Sequence, residues 1–175
     1  MLKRLFRPHP SQEVGRSLYA AVVEQSRLPA LYERLGAPDT VEGRFEIYTL
    51  HVVLLLDRLN QPGDQAKAVS QALFDTYVKA LDHALREMGV GDLSVGKKMR
   101  KLGEAFYGRV KSYHGAFAAL PEAGALRELL ARTVYAGVDA PPVEALAGYV
   151  TALRDHLAGQ PLEAVLVGSV EWSAP

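Results

Sequence analysis

The stretch GVGDLSVGKK, Gly89 to Lys98, decides the fold class. Gly91, Gly96 and Lys97 satisfy the G-x-x-x-x-G-K spacing of a phosphate-binding loop, which joins a buried strand to a helix in an α/β protein. The flanks exclude that reading. The preceding segment, TYVKALDHALREMG (76–89), has helical and not strand periodicity. Lys98 stands where a Ser or Thr hydroxyl would bind magnesium, and no downstream apolar strand ends in an Asp that could be the second metal ligand. The stretch reads instead as a helix–loop–helix corner. Gly89 stops one helix, and Asp92 or Ser94 caps the next.

Outward from this corner the pattern is helical throughout. Upstream, Val69, Leu73, Tyr77, Leu81, Leu85 and Met88 step by four, four, four, four and three along a helix of about residues 64–88. Downstream, Met99, Leu102, Phe106, Val110, Tyr113 and Phe117 form the stripe of the following helix. Ser11 is placed to cap a first helix ending near Arg27, and LPALYERLG (28–36) reads as a short helix. Asp39 and Glu42 have capping-box spacing for a helix of about residues 40–60. Further helices are expected at about 121–135 and 142–158. The tail, PLEAVLVGSVEWSAP (161–175), reads as one short helix or an extended segment held by Val165, Leu166 and Trp172. Almost nothing alternates with period two. The expectation is an all-α single domain of five to seven helices with short loops: a basic flexible N-terminus (1–10), a helical domain (11–160) and a C-terminal tail (161–175).

The chain of 175 residues is long enough for a real core, and its 49% hydrophobic and 23% charged composition is that of a soluble globular protein. It holds no cysteine, which excludes disulfides, thiol nucleophiles and Cys-type metal sites. The longest apolar run, IYTLHVVLLL (47–56), is far short of a membrane span and contains His51. Net charge is zero, giving no sign of non-specific nucleic-acid binding. The charge is nevertheless polarised. Residues 86–111 carry seven Lys/Arg against three acids, a local +4, whereas 139–175 carry one Arg against five acids, a local −4. Such a surface suits an anionic or polar partner. In the N-terminal MLKRLFRPHP, apolar and basic residues alternate as in a segment that touches an anionic membrane surface.

Catalytic and metal signatures are missing from the sequence. The five histidines, at 9, 51, 83, 114 and 156, include no i, i+4 pair and no HExxH. No nucleophile elbow or dinucleotide fingerprint occurs. No cofactor is expected. His51 lies in line with Arg44, Tyr48, Leu55 and Arg58 at spacings of three and four. Two readings stay open for it: a core histidine satisfied by a hydrogen bond, or a hydrogen-bonding group in a partner groove.

Long ordered motifs go further than composition. The stretches 39–59 and 71–110, above all GRFE…LH (Gly43–His51), LREMGVGDLSVGKK (Leu85–Lys98) and AFYGR (Ala105–Arg109), resemble the ubiquinol–cytochrome c chaperone family over roughly residues 11–150. The chain opens almost directly at the domain, with no mitochondrial presequence, so it is similar to bacterial members. The resemblance implies a non-enzymatic assembly factor for ubiquinol–cytochrome c reductase (complex III) that binds newly made cytochrome b. Mitochondrial members work with a small partner protein near the ribosomal exit site. It also implies a place in the bacterial cytoplasm, at the inner face of the inner membrane. A client made of apolar helices needs an apolar and aromatic groove with a charged rim, and no catalytic acid. We expect that groove beside the Gly89–Leu93 corner. Arg44, His51, Tyr107 and Arg109 would be its polar and aromatic contacts, and Arg86, Asp92, Lys97, Lys98, Arg100 and Lys101 its charged rim. The competing reading is a peripheral lipid-binding helical module that uses the basic N-terminus and the basic 86–111 corner on an anionic membrane.

Overall fold

The apolar run 47–56 becomes the middle of the molecule. The computed structural model describes residues 10–175, so the basic segment ahead of Pro10 lies outside the described residues. Among these the chain forms eight helices and no strand: α1 Pro10–Ser26, α2 Pro29–Glu33, α3 Val41–Leu59, α4 Asp64–Glu87, α5 Asp92–Ala118, α6 Gly124–Arg132, α7 Val143–Gly159 and α8 Leu162–Leu166. The all-α single domain is the architecture expected. The count exceeds five to seven by the tail's five-residue α8, which starts just after Pro161, while the equally short α2 starts at Pro29. From Thr49 to Leu55 every residue of α3 is buried, which is the mark of a helix enclosed on all sides. Helices α1, α4, α5, α7 and α8 all pack on it, and α6 joins α5 to α7.

Local chemistry sets the ends of these helices. Thr40, not Asp39, is the N-cap of α3, its Oγ1 accepting from the Gly43 amide at 3.1 Å. Asp39 is engaged by Arg44 instead. Ser11, the expected cap, lies within α1. At the corner, Gly89 takes a φ of +82°. Its amide donates to the Arg86 carbonyl at 2.9 Å and the Val90 amide to Leu85 at 3.0 Å, the paired bonds of a Schellman stop. Gly91, not Asp92 or Ser94, is the N-cap of α5. Asp92 is the first helical residue and bonds back to Arg86. Gly96 and Lys97 lie in the second turn of α5, so the P-loop spacing is a coincidence of a helix stop and a helix start.

Two glycines set how closely elements approach. A Cβ on Gly15 would stand 2.5 Å from the Ala72 carbonyl carbon, so α1 crosses α4 at a distance only glycine permits. A Cβ on Gly43 would stand 2.0 Å from the Pro38 carbonyl oxygen. The glycine of GRFE is thus where the loop after α2 folds against α3.

The polar groups of the enclosed helix are satisfied by distant elements. Thr49 Oγ1 meets the Tyr77 hydroxyl of α4 at 2.7 Å. His51, fully buried, donates from Nδ1 to the Ile47 carbonyl at 2.8 Å. Its Nε2 therefore accepts from the Tyr149 hydroxyl of α7 at 2.9 Å. Tyr149 in turn accepts from Gln25 of α1 at 2.8 Å, and the same amide donates to the Ser173 carbonyl at 2.8 Å. The Trp172 ring stands edge-on to His51, with centroids 5.5 Å apart. This disposes of the groove reading of His51: the residue is a core histidine under α7 and the tail. Its lineage on α3 diverges likewise. Arg44 is at the surface, whereas Arg58 donates to the Leu157 and Gln160 carbonyls at the end of α7. The tail is both of the forms expected, a short helix followed by an extended strip, with Val165 fully buried and Glu171 paired to Gln160.

Two outcomes follow for stability. Gly43→Ala forces the α3 start away from Pro38 and should lower stability by about 1–3 kcal/mol. Gly108→Ala, where nothing lies within 4 Å, should leave it unchanged or raise it by up to about 1 kcal/mol; thermal melts of the two variants check both. Burial holds the folded His51 pKa down to about 4, against 6.5 for a free imidazole. Between those values the unfolded chain binds the extra proton. Stability should therefore fall as pH drops from about 6.5 to about 4, by up to about 3 kcal/mol, and this component should be flat above pH 7. Melting temperature against pH for wild type and His51→Gln isolates it: the wild-type curve should drop more steeply in that window.

Candidate functional site

An open cleft of about 660 Å³ lies next to the end of α4, and its walls are not the residues expected for the groove. Tyr19 and Val23 of α1, Phe45 and Tyr48 of α3, and Leu81, Ala84, Leu85 and Met88 of α4 line it, with Leu102 closing the α5 side. It exists because the apolar stripe of α4 runs on past its neighbours. Val69, Leu73, Tyr77 and Leu85 are buried, Leu81 is half-buried, and Met88 is 54% exposed. The rim carries both signs, with Arg27 and Arg44 against Glu42 and Glu87, and His83 beside them. Most of its polar groups are already engaged. Arg27 donates to the Tyr48 hydroxyl at 2.8 Å, Arg44 lies over the Tyr32 ring at 5.2 Å while bonding Asp39, and His83 pairs with Glu87 at 3.2 Å. Burial pushes the Tyr19 phenol up to about 12, so it stays protonated. The arrangement offers apolar and aromatic surface with a hydrogen-bonding edge. Among the described residues no group of His, Asp and Glu could hold a metal ion.

The expected site residues are distributed around this cleft and not gathered in it. Arg44 lines it. Arg109 stands behind it, where its guanidinium grips Glu46 by two bonds, Nε to Oε2 at 2.8 Å and Nη2 to Oε1 at 2.7 Å. Glu46 is buried and forms part of the cleft wall, so this fork ties α3 to α5 directly beneath it. The same hydrogen bonds push the Arg109 pKa up. Tyr107 faces a different cleft, of about 580 Å³, where it stacks near Phe74 with centroids 5.7 Å apart. Arg86 does not present a free charge, since it bonds Asp82 at 2.7 Å and Asp92 across the corner. Lys97, Arg100 and Lys101 point from α5 into solvent, and of the expected cations only Lys98 stands one turn from Leu102. Phe45, Glu46, Tyr48 and Ala84 line the cleft but are not among the expected site residues. The available signal was the α4 stripe continuing to Met88 next to a glycine stop.

The comparisons agree with this architecture. The family model described as Ubiquinol-cytochrome C chaperone matches residues 33–172. The match starts later than the motif resemblance of about 11–150 and takes in the tail that covers His51. The chain is 26% identical over 96 residues to ubiquinol-cytochrome-c reductase complex assembly factor 1 of Xenopus laevis, covering 55% of this chain and 48% of that protein. It is 28% identical over 111 residues to the Mus musculus protein of that name, covering 59% of this chain and 38% of the other. It thus spans less than half the length of these curated relatives. The crystal structure of the Cbp3 homolog from Brucella abortus superposes with a TM-score of 0.86 at 34% identity, over 99% of this chain and 97% of that one. With the matched region spanning α3 through the tail that seals it, the chain belongs to the ubiquinol–cytochrome c chaperone family.

Proposed function

We propose that this chain is a non-enzymatic chaperone of ubiquinol–cytochrome c reductase assembly that holds newly made cytochrome b at the inner face of the inner membrane. The observation that carries the reading is the open apolar cleft between α1, α3 and α4. Its aromatic walls suit an apolar helix of the client, and its mixed-sign rim suits the polar ends of such a helix. Family membership supports the assembly role. No helix among the described residues is long and apolar enough to cross a membrane, which is consistent with a protein that meets a membrane client from one side. The Glu46–Arg109 fork acts here as the brace that keeps α5 against α3 while the cleft stays open.

An affinity pull-down from mildly solubilised membranes of the host tests the proposal. Wild-type protein should enrich cytochrome b over other abundant inner-membrane proteins. Ala84→Glu, an exposed position inside the cleft, should reduce that recovery about tenfold or more with an unchanged melting temperature. Gln71→Lys, on the far side of α4, should leave recovery intact. Equal recovery by wild type and Ala84→Glu would remove the cleft from the mechanism. The brace has a separate signature. Arg109→Ala strands a buried carboxylate and should lower stability by about 3 kcal/mol, while the double variant Arg109→Met with Glu46→Gln should recover most of that in a denaturant melt.

A further inference from the structure

The cleft uses one side of α5, and among the described residues the opposite side of that helix is exposed, with Tyr107 at its edge beside Phe74 of α4. At 100° per residue, Leu93, Lys97, Arg100, Lys101, Tyr107 and Lys111 fall within an arc of about 120°, opposite the buried Val95, Phe106 and Tyr113. All six are exposed, Leu93 at 102% and Tyr107 at 63%. Among the described residues none of the four cations has a carboxylate within 4 Å, unlike Arg44, Arg86, Arg109, Arg127 and Arg154. One acid, Glu104, shares the arc. The face is a straight strip about 27 Å long, apolar near one end, aromatic further along, and positive between.

We propose that this outer face of α5 docks onto an anionic lipid bilayer. The helix lies parallel to the surface, Leu93 and Tyr107 enter the headgroup layer, and Lys97, Arg100, Lys101 and Lys111 meet lipid phosphates. An exposed leucine has no use against a phosphate backbone. A lone aromatic about 21 Å from it is not the row of stacking rings that a single-stranded nucleic acid requires. Tyrosine beside basic residues is the composition of a membrane interface. The face is separate from the proposed client cleft, which lies against the other side of α5.

Co-sedimentation of the full chain with phosphatidylcholine vesicles, with and without phosphatidylglycerol, tests this. Wild type should bind only the phosphatidylglycerol vesicles, and high salt should release it. The triple variant Lys97→Gln, Arg100→Gln, Lys101→Gln should bind about 100-fold more weakly, about fivefold for each charge removed. Leu93→Ser should weaken binding while leaving its salt dependence. All substitutions are at exposed positions, so melting temperatures should match wild type. Equal binding to both vesicles, no loss in the triple variant, or binding to poly(U) RNA with none to vesicles would each overturn the proposal. Capture of detergent-solubilised cytochrome b by the triple variant should stay at the wild-type level, so failure of the lipid face and failure of the client cleft read out separately.

Discussion

A helix enclosed on every side cannot leave a polar group to water, and the rest of this structure is organised around that constraint. Helix α3 carries Glu46, Thr49 and His51 into a region where each would be costly alone. Each is answered from a different part of the chain: Arg109 from α5, Tyr77 from α4, Tyr149 from α7. The packing of apolar side chains alone would tolerate several arrangements of the surrounding helices. The three polar contacts are more selective, because donor and acceptor meet at only one register. They also explain why the GRFE…LH segment reads as a unit. Its glycine seats the helix start, its arginine closes the entry loop through Asp39, its glutamate braces α5 and its histidine anchors α7.

The same arrangement separates two surfaces that looked like one in the sequence. The basic residues of 97–101, with Tyr107 and Arg109, are strung along α5, a helix that turns one side to the core and the other outward, whereas Arg44 and His51 belong to α3. The cleft forms instead where α4 extends beyond what α3 and α1 can cover. Met88, Leu81 and Leu85 there belong to the same stripe that packs the core lower down. A cleft built this way is continuous with the hydrophobic core, so its walls are held by the same packing that stabilises the domain.

Much of this was legible from periodicity. The helices 64–88 and 40–60 and the corner at Gly89 were each placed within a residue or two, because long amphipathic stripes and a glycine stop are local signals. What failed were inferences about facing. Arg44, Tyr48, His51, Leu55 and Arg58 do lie along one side of α3, but on an enclosed helix one side crosses several environments, from solvent to core to the end of α7. The partnership of Glu46 with Arg109 is a contact between distant segments and leaves no trace in spacing. Nor can periodicity say whether an apolar residue such as Met88 is covered. The capping residue shifted from Asp39 to Thr40, and from Asp92 to Gly91, because a carboxylate with a nearby arginine prefers the ion pair.

The tail has a consequence for how this chain comes to be. His51 lies in the first third of the sequence, yet Tyr149 and Trp172 cover it, and Gln25 reaches Ser173 across 148 positions. While the protein is being synthesised, the helix with the longest apolar run emerges early and waits, partly uncovered, for segments made much later. During that interval α3 presents to its surroundings the apolar face that α7 and the tail later cover, so segments near residue 172 complete a core begun in the first third of the sequence.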